Sequence, residues 1–195
     1  MKTGRSILLL IVFVLISGQI RCLASGSGPV ITYTVNLTES MKTALEAFDP
    51  DFRIWEQADF APEMLDHAYE FSLKQFPSAV IGDFNNDGII DVVLFGCDKT
   101  ESRILAVLSD DETFKVIEVK NYGKTEAQMR CINGDSNDCK LVTYLTYSGP
   151  GRYESPHEKN ALDLATDAFV ITYYEAAAEL IYFREDKFHE YRTAD

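Results

Sequence analysis

Short apolar segments separated by polar turns recur along most of this 195-residue chain. The segments are rich in Val, Ile, Tyr and Phe, which favour the pleated, half-buried surface of a strand. They lie at 30–35, 79–81, 91–95, 104–108, 114–119, 141–147, 168–174, 179–183 and 187–191. Many short strands joined by short polar turns predict an antiparallel sheet assembly. The last segment, 187–191, is predicted to be an edge strand.

Two segments near the N-terminus have helical rather than strand spacing. Thr38 can cap a helix that runs to Phe48, because Met41 and Leu45 then share one face with Phe48. Pro62 can start a second helix that runs to near Phe71. Residues 52–55 are predicted to be a short extended piece between them. The predicted fold class is therefore mainly β, of the α+β type: an antiparallel meander with one or two N-terminal helices.

The first 24 residues are predicted to be a signal peptide. Lys2 and Arg5 form a positive start, and the apolar run 7–16 is too short to span a bilayer but suits a signal-peptide core. Cleavage before Ser25 would leave a linker at 25–29 and one globular domain at 30–195. Lipidation at Cys22 is the alternative, and the bulky Arg21 before it disfavours that alternative. We expect export to a periplasmic or extracellular location.

The acidic composition limits the class of partner. The formal net charge is −13, and the first 25 residues carry three basic and no acidic side chains, so the rest has 15 bases against 31 acids, or −16. Such a surface disfavours nucleic acids and anionic lipids and suits cations or basic partners. We expect no nucleic-acid binding, no stable membrane insertion, and a monomer.

Oxygen-bearing side chains recur at spaced positions between the predicted strands 79–81 and 91–95. Oxygen ligands on a tight turn suit Ca²⁺, and a glycine at position 88 allows the sharp turn that such a loop needs. The alternative is a hairpin turn rich in Asp and Asn that binds no metal. The predicted metal ligands are the side chains of Asp83, Asn85, Asp87 and Asp91 and the backbone carbonyl of Ile89.

This loop does not follow the EF-hand pattern, because its twelfth position is Leu94 instead of a carboxylate and strands flank it. The strand–loop–strand pattern Asp-x-Asn-x-Asp-Gly-x-x-Asp, with 82–84 before it and 91–96 after it, resembles the cation loop of FG-GAP and VCBS repeats. The chain also resembles small exported bacterial proteins that share a core like 77–88. These resemblances imply an exported FG-GAP/VCBS-like domain. The chain has one such loop, so it is not a complete propeller, which needs at least four blades.

Export makes disulfides possible. Cys131 and Cys139 bound a short polar loop that contains Asn-Gly, so we predict a disulfide between them. Cys97 is then left over and is predicted to be a small core residue at the end of a strand.

The sequence has no recognisable catalytic motif. The three histidines have no paired spacing, and neither a Gly-x-Ser-x-Gly elbow nor a phosphate-binding glycine loop is present. We therefore expect an exported, non-catalytic binding or structural module that binds calcium and recognises a protein or glycan partner, through exposed aromatics such as Trp55 or Tyr153. The alternative is a secreted hydrolase with a carboxylate or metal-assisted mechanism.

Overall fold

The computed structural model describes residues 19–21, 30–32, 34–70, 76–124, 129–131 and 139–194. Two helices, α1 (Glu39–Phe48) and α2 (Pro62–Glu70), stand among fifteen strands. The first seven strands are β1 (Gln19–Arg21), β2 (Val30–Thr32), β3 (Arg53–Ile54), β4 (Ala79–Gly82), β5 (Asp91–Cys97), β6 (Glu101–Asp110) and β7 (Thr113–Lys124). The others are β8 (Met129–Cys131), β9 (Cys139–Leu141), β10 (Thr143–Ser148), β11 (Gly151–Tyr153), β12 (Leu162–Leu164), β13 (Ala168–Tyr173), β14 (Ala177–Arg184) and β15 (Lys187–Ala194). The protein is mainly β, with antiparallel sheets, as the sequence predicts.

Two larger sheets form the body of the protein. In the first, β5 pairs with β6, which pairs with β7, while β3 and β4 pair with successive parts of the other side of β5. The second sheet has the strand order β10-β13-β14-β15, so β15 is an edge strand as predicted. The pairs β1–β2, β8–β9 and β11–β12 are separate two-stranded sheets.

Both faces of β5 are buried, which explains the unbroken apolar run that follows its first residue, Asp91. Since successive side chains point to opposite faces, Val93 and Phe95 pack in the cluster that includes Phe169 of the second sheet. Val92 and Leu94 pack on the opposite face, in the cluster that includes Met41 of α1. A third cluster lies on the second sheet, where Ala168, Leu180 and Tyr191 meet Leu162 and Leu164 of β12.

The first helix begins where its cap predicts. The hydroxyl oxygen of Thr38 accepts a hydrogen bond from the backbone N–H of Met41 at 3.2 Å, which satisfies one of the free amides of the first turn. The helix ends at Phe48, and the N–H of Asp49 bonds to the carbonyl of Leu45 at 2.8 Å. The second helix starts at Pro62 as predicted.

Some local predictions need correction. Trp55 is only 1% exposed, so it is a core residue and not the exposed aromatic that the sequence suggested. The predicted strand 141–147 is divided between β9 and β10, with Val142 between them. In the segment 30–35, Val30–Thr32 is a strand and positions 34 and 35 are not, while position 33 lies outside the described residues. Position 71 lies outside the described residues.

The N-terminal segment is described only in part. The residues Gln19–Arg21, within the predicted signal peptide, pair with β2, and the rest of 1–29 lies outside the described residues. In the described part of the chain, neither helix has the length and apolar character needed to cross a bilayer.

Candidate metal centre

The predicted metal loop is the connection of a β-hairpin. Gly82 at the end of β4 pairs with Asp91 at the start of β5, so residues 83–90 form the loop between two strands, as the sequence predicts. The chain enters the left-handed region at Asn86 (φ 62°) and Gly88 (φ 82°). Glycine has no steric cost there, and asparagine tolerates this region better than most residues. These two positions let the loop fold back on itself.

The first three predicted ligands are cross-linked within the loop. Asp83 accepts hydrogen bonds from the backbone N–H of Asp87 at 3.1 Å and of Gly88 at 2.9 Å, one on each carboxylate oxygen. The amide of Asn85 donates to the carboxylate of Asp87 at 3.0 Å, and the other oxygen of Asp87 accepts from the N–H of Ile89 at 2.8 Å. These bonds hold Asp83, Asn85 and Asp87 on one compact turn.

The fourth predicted side-chain ligand, Asp91, is fully buried. Its two carboxylate oxygens accept hydrogen bonds from the backbone N–H of Ser109 at 2.7 Å and of Phe84 at 3.0 Å. Burial raises the pKa of Asp91 to about 6, although both amides favour its charged form. The carboxylate is thus fixed in place by the protein before any ligand binds.

Ser109 on β6 joins the loop to Asp91, and sequence reasoning missed it. Its hydroxyl bonds to the carboxylate of Asp87 and lies 3.0 Å from the carboxylate of Asp91. Its backbone carbonyl accepts from the amide of Asn85 at 2.9 Å. A single serine after an apolar run is too common to have been selected from the sequence. The structure makes it the residue at which two predicted ligands meet.

The loop also contacts the second sheet, through Asp167 in the connection between β12 and β13. One carboxylate oxygen of Asp167 accepts from the backbone N–H of Asp83 at 2.8 Å, and the Asp167 N–H donates to the carbonyl of Asp83 at 3.3 Å. Beside this contact the rings of Phe84 and Phe169 pack edge to face, with their centroids 5.8 Å apart. No local motif marks Asp167, which lies 84 residues from Asp83 in sequence.

The structure thus places Asp83, Asn85 and Asp87 together and brings Asp87 and Asp91 to a common hydroxyl. Ile89 lies in the same loop, with its N–H bonded to Asp87. Among the described residues, no three His, Cys, Asp or Glu side chains form a group that could hold a metal ion in this arrangement. The convergence of all five oxygens on one cation stays a prediction.

The cysteines occupy distinct environments. Cys97 is a buried free thiol at the last position of β5, which confirms its predicted place at a strand end, and burial raises its pKa. Cys139 is disulfide-bonded, and its backbone partner in the β8–β9 register is Cys131. The bond between these two cysteines stays a prediction, because the side chain of Cys131 is not among those described.

Two surface depressions bear on the hydrolase alternative. One is lined by Asp110, Asp111, Glu112 and Thr113, which are all exposed residues at the β6–β7 turn. The other lies between residues 157–162 and Tyr191, and Glu158 is its only carboxylate among the lining residues described. Neither presents a pair of buried carboxylates. Comparison of the chain with family models, curated proteins and solved structures gave no match.

Proposed function

We propose that this protein is an exported, non-catalytic binding or structural module in which Ca²⁺ locks the loop between β4 and β5. The observation that carries the proposal is the contact of two carboxylates, those of Asp87 and Asp91, with the single hydroxyl of Ser109. Two negative charges so close together repel each other unless a cation intervenes. An N-terminal segment with the character of a signal peptide supports export.

The donor set suits calcium. Asp83, Asn85, Asp87 and Asp91 offer only oxygen ligands, and the carbonyl of Ile89 adds a fifth group. Each carboxylate oxygen has more than one lone pair, so an oxygen that accepts an amide hydrogen can still bind a cation. Within the described residues, no lysine or arginine forms an ion pair with Asp83, Asp87 or Asp91. Bound calcium would supply a positive charge in direct contact with these carboxylates.

The same ligand set argues for a structural role of the metal. Four side chains and one carbonyl fill most of the six to eight positions around Ca²⁺, which leaves little room for a substrate. The predicted ligands also contact other parts of the fold. Asp91 accepts from the N–H of Ser109 on β6, and the N–H of Asp83 donates to Asp167, which precedes β13 of the second sheet. Order in the loop therefore stabilises the contact between sheets, on which a surface for a protein or glycan partner would depend.

The test is thermal unfolding of the wild-type protein and of Asp87→Ala, each in excess Ca²⁺ and in chelator. At a free Ca²⁺ concentration 100 times the dissociation constant, binding adds about 2.7 kcal/mol to the stability of the wild-type protein. We expect Asp87→Ala to lose most of this gain. Asp163→Ala is the control, because Asp163 is an exposed carboxylate on β12 whose one ion pair among the described residues is with Arg152, at 3.2 Å. Equal melting temperatures for the wild type in calcium and in chelator would contradict the proposal.

A further inference from the structure

The carboxylate of Asp167 links the metal loop to a tyrosine at the protein surface. Its Oδ2 accepts from the backbone N–H of Asp83 at 2.8 Å, and its Oδ1 accepts from the hydroxyl of Tyr147 at 2.7 Å. Tyr147, at 41% exposure, is one of two large hydrophobic side chains that are exposed in the described part of the chain. One carboxylate thus bonds to the first predicted metal ligand and to an exposed aromatic residue.

The position of Asp167 against the loop is tightly fixed. A Cβ atom at Gly82 would lie 3.0 Å from both the Cβ and the Oδ2 of Asp167, so the glycine gives the aspartate room to approach. The N–H of Asp167 donates to the carbonyl of Asp83, so both backbone polar groups of Asp83 are bonded to this one residue. The Phe84–Phe169 ring contact holds the two segments together from the buried side.

We propose that Asp167 is a positioning residue for the calcium site and that it couples occupation of the loop to the surface around Tyr147. This inference rests on the proposed calcium binding. Asp167 does not bind the metal; it fixes the backbone of Asp83, and with it the direction of the first ligand side chain. Calcium that holds Asp83 in place also holds the carboxylate of Asp167, which accepts from the Asp83 N–H. The same carboxylate then holds the hydroxyl of Tyr147, which donates to its other oxygen. Because coupling between two sites is reciprocal, a substitution that breaks the bond between Tyr147 and Asp167 will weaken calcium binding.

The substitution Asp167→Asn changes both contacts with little change in size. The backbone N–H of Asp83 can only donate, so it needs the amide oxygen of the asparagine, and the NH₂ group can then bond to Tyr147 only by donating to its hydroxyl oxygen. The variant therefore removes the charged acceptor from both bonds. Tyr147→Phe removes the bond between Tyr147 and Asp167 and keeps the bond between Asp167 and Asp83. Asp163→Asn repeats the change of charge at an exposed carboxylate nearby in sequence.

Calcium affinity of the full chain and its three variants is measured by titration calorimetry, with thermal unfolding in chelator as a second readout. Because a hydrogen bond to a charged acceptor is roughly twice as strong as one to a neutral acceptor, loss of the carboxylate predicts about a tenfold weaker Kd for Asp167→Asn. Tyr147→Phe is expected to weaken the Kd about threefold, because the carboxylate of Asp167 keeps its bond to Asp83 and loses only the bond on its other oxygen. The double variant should bind no more weakly than Asp167→Asn, because the two residues act through one contact. Asp163→Asn should bind like the wild type.

The outcomes separate this inference from the proposed function. A wild-type protein that binds no calcium would overturn both. A wild type that binds calcium, with Asp167→Asn equal to it in affinity, would overturn this inference alone, even if the variant melts at a lower temperature in chelator. If Asp167→Asn does not fold, Tyr147→Phe decides the coupling to the surface, and an unchanged Kd for that variant would refute it.

Discussion

Two serines on β6 provide a matched test of the part that Ser109 plays at the loop. Ser109 is 2% exposed and Ser102 is fully buried, so both hydroxyls are shielded from water. The hydroxyl of Ser109 contacts the carboxylates of Asp87 and Asp91. The hydroxyl of Ser102 has no hydrogen-bond partner among the described residues. Substitution by alanine removes the same atom from each, on the same strand.

The two substitutions should change stability in opposite directions. A hydrogen bond to a charged group contributes about 1.5–3 kcal/mol, and a buried polar group without a partner costs about 1–3 kcal/mol. Asp87 is exposed and can regain hydration, and Asp91 keeps two backbone amide donors. We therefore expect Ser109→Ala to lower the free energy of unfolding by about 1–2 kcal/mol. Ser102→Ala should leave it unchanged or raise it by up to about 1 kcal/mol.

Urea unfolding in chelator measures both effects without any contribution from a metal. The denaturant dependence of the free energy should match the wild type in both variants, so that the midpoints report stability alone. Equal midpoints for Ser109→Ala and Ser102→Ala would refute the reasoning, because the hydrogen bonds of Ser109 would then contribute nothing. A lower midpoint for Ser102→Ala than for Ser109→Ala would show that the Ser102 hydroxyl has a partner.

Two further predictions concern the region where β3 meets β5. A Cβ atom at Gly96 would lie 2.3 Å from a backbone carbonyl oxygen of β3, so Gly96→Ala should lower the free energy of unfolding in urea by about 3 kcal/mol or more. Gly151→Ala is the control: the nearest atom to its added Cβ would be 3.9 Å away, so the free energy of unfolding should change by less than about 1 kcal/mol. Asp98 accepts from two backbone amides of its own turn, which lowers its pKa from 3.8 to about 2, so its charged form stabilises the fold above pH 4 and this contribution is lost as the pH falls to 2. The side chain of Asp98 is 19% exposed, and solvent screening reduces its contribution to the free energy of unfolding to about 1–2 kcal/mol. The free energy of unfolding of Asp98→Asn should therefore fall less steeply than that of the wild type between pH 4 and pH 2. Parallel curves for the variant and the wild type would contradict this prediction.

Much of the fold could be predicted because its signals are local. The cap at Thr38 marks the start of α1, and the continuous apolar run at 92–97 of β5 is typical of a strand buried on both faces. The glycine at position 88 is in the left-handed region that the spacing of the loop requires. In each case neighbouring residues determine the conformation, so the sequence pattern is sufficient.

The pairing of distant strands could not be predicted in the same way. The second sheet places β10 beside β13 and leaves β11 and β12 as a separate pair, an order that no local pattern encodes. Trp55 follows a two-residue strand and was expected at the surface, yet β5 and β3 enclose it, and its ring packs edge to face on Phe95 with centroids 6.4 Å apart. The identity of an aromatic residue does not show whether a distant strand will cover it.

The candidate site combines residues that a local sequence pattern marks with residues that the packing of distant strands brings to it. Only the first group could be identified from the sequence. The predicted ligands lie within nine residues of one hairpin, so their spacing alone suggested a cation loop. Ser109 comes from β6, and Asp167 comes from the connection between β12 and β13. Ser109 contacts the side chains of Asn85 and Asp91 through its own backbone carbonyl and N–H, whereas Asp167 contacts the backbone N–H of Asp83. Every residue except proline has the same backbone N–H and carbonyl, so a bond to a backbone group does not require a particular residue on that side of the contact. The predicted ligands can therefore be identified from the hairpin sequence, whereas the residues that contact them are brought into place only when the two sheets pack together.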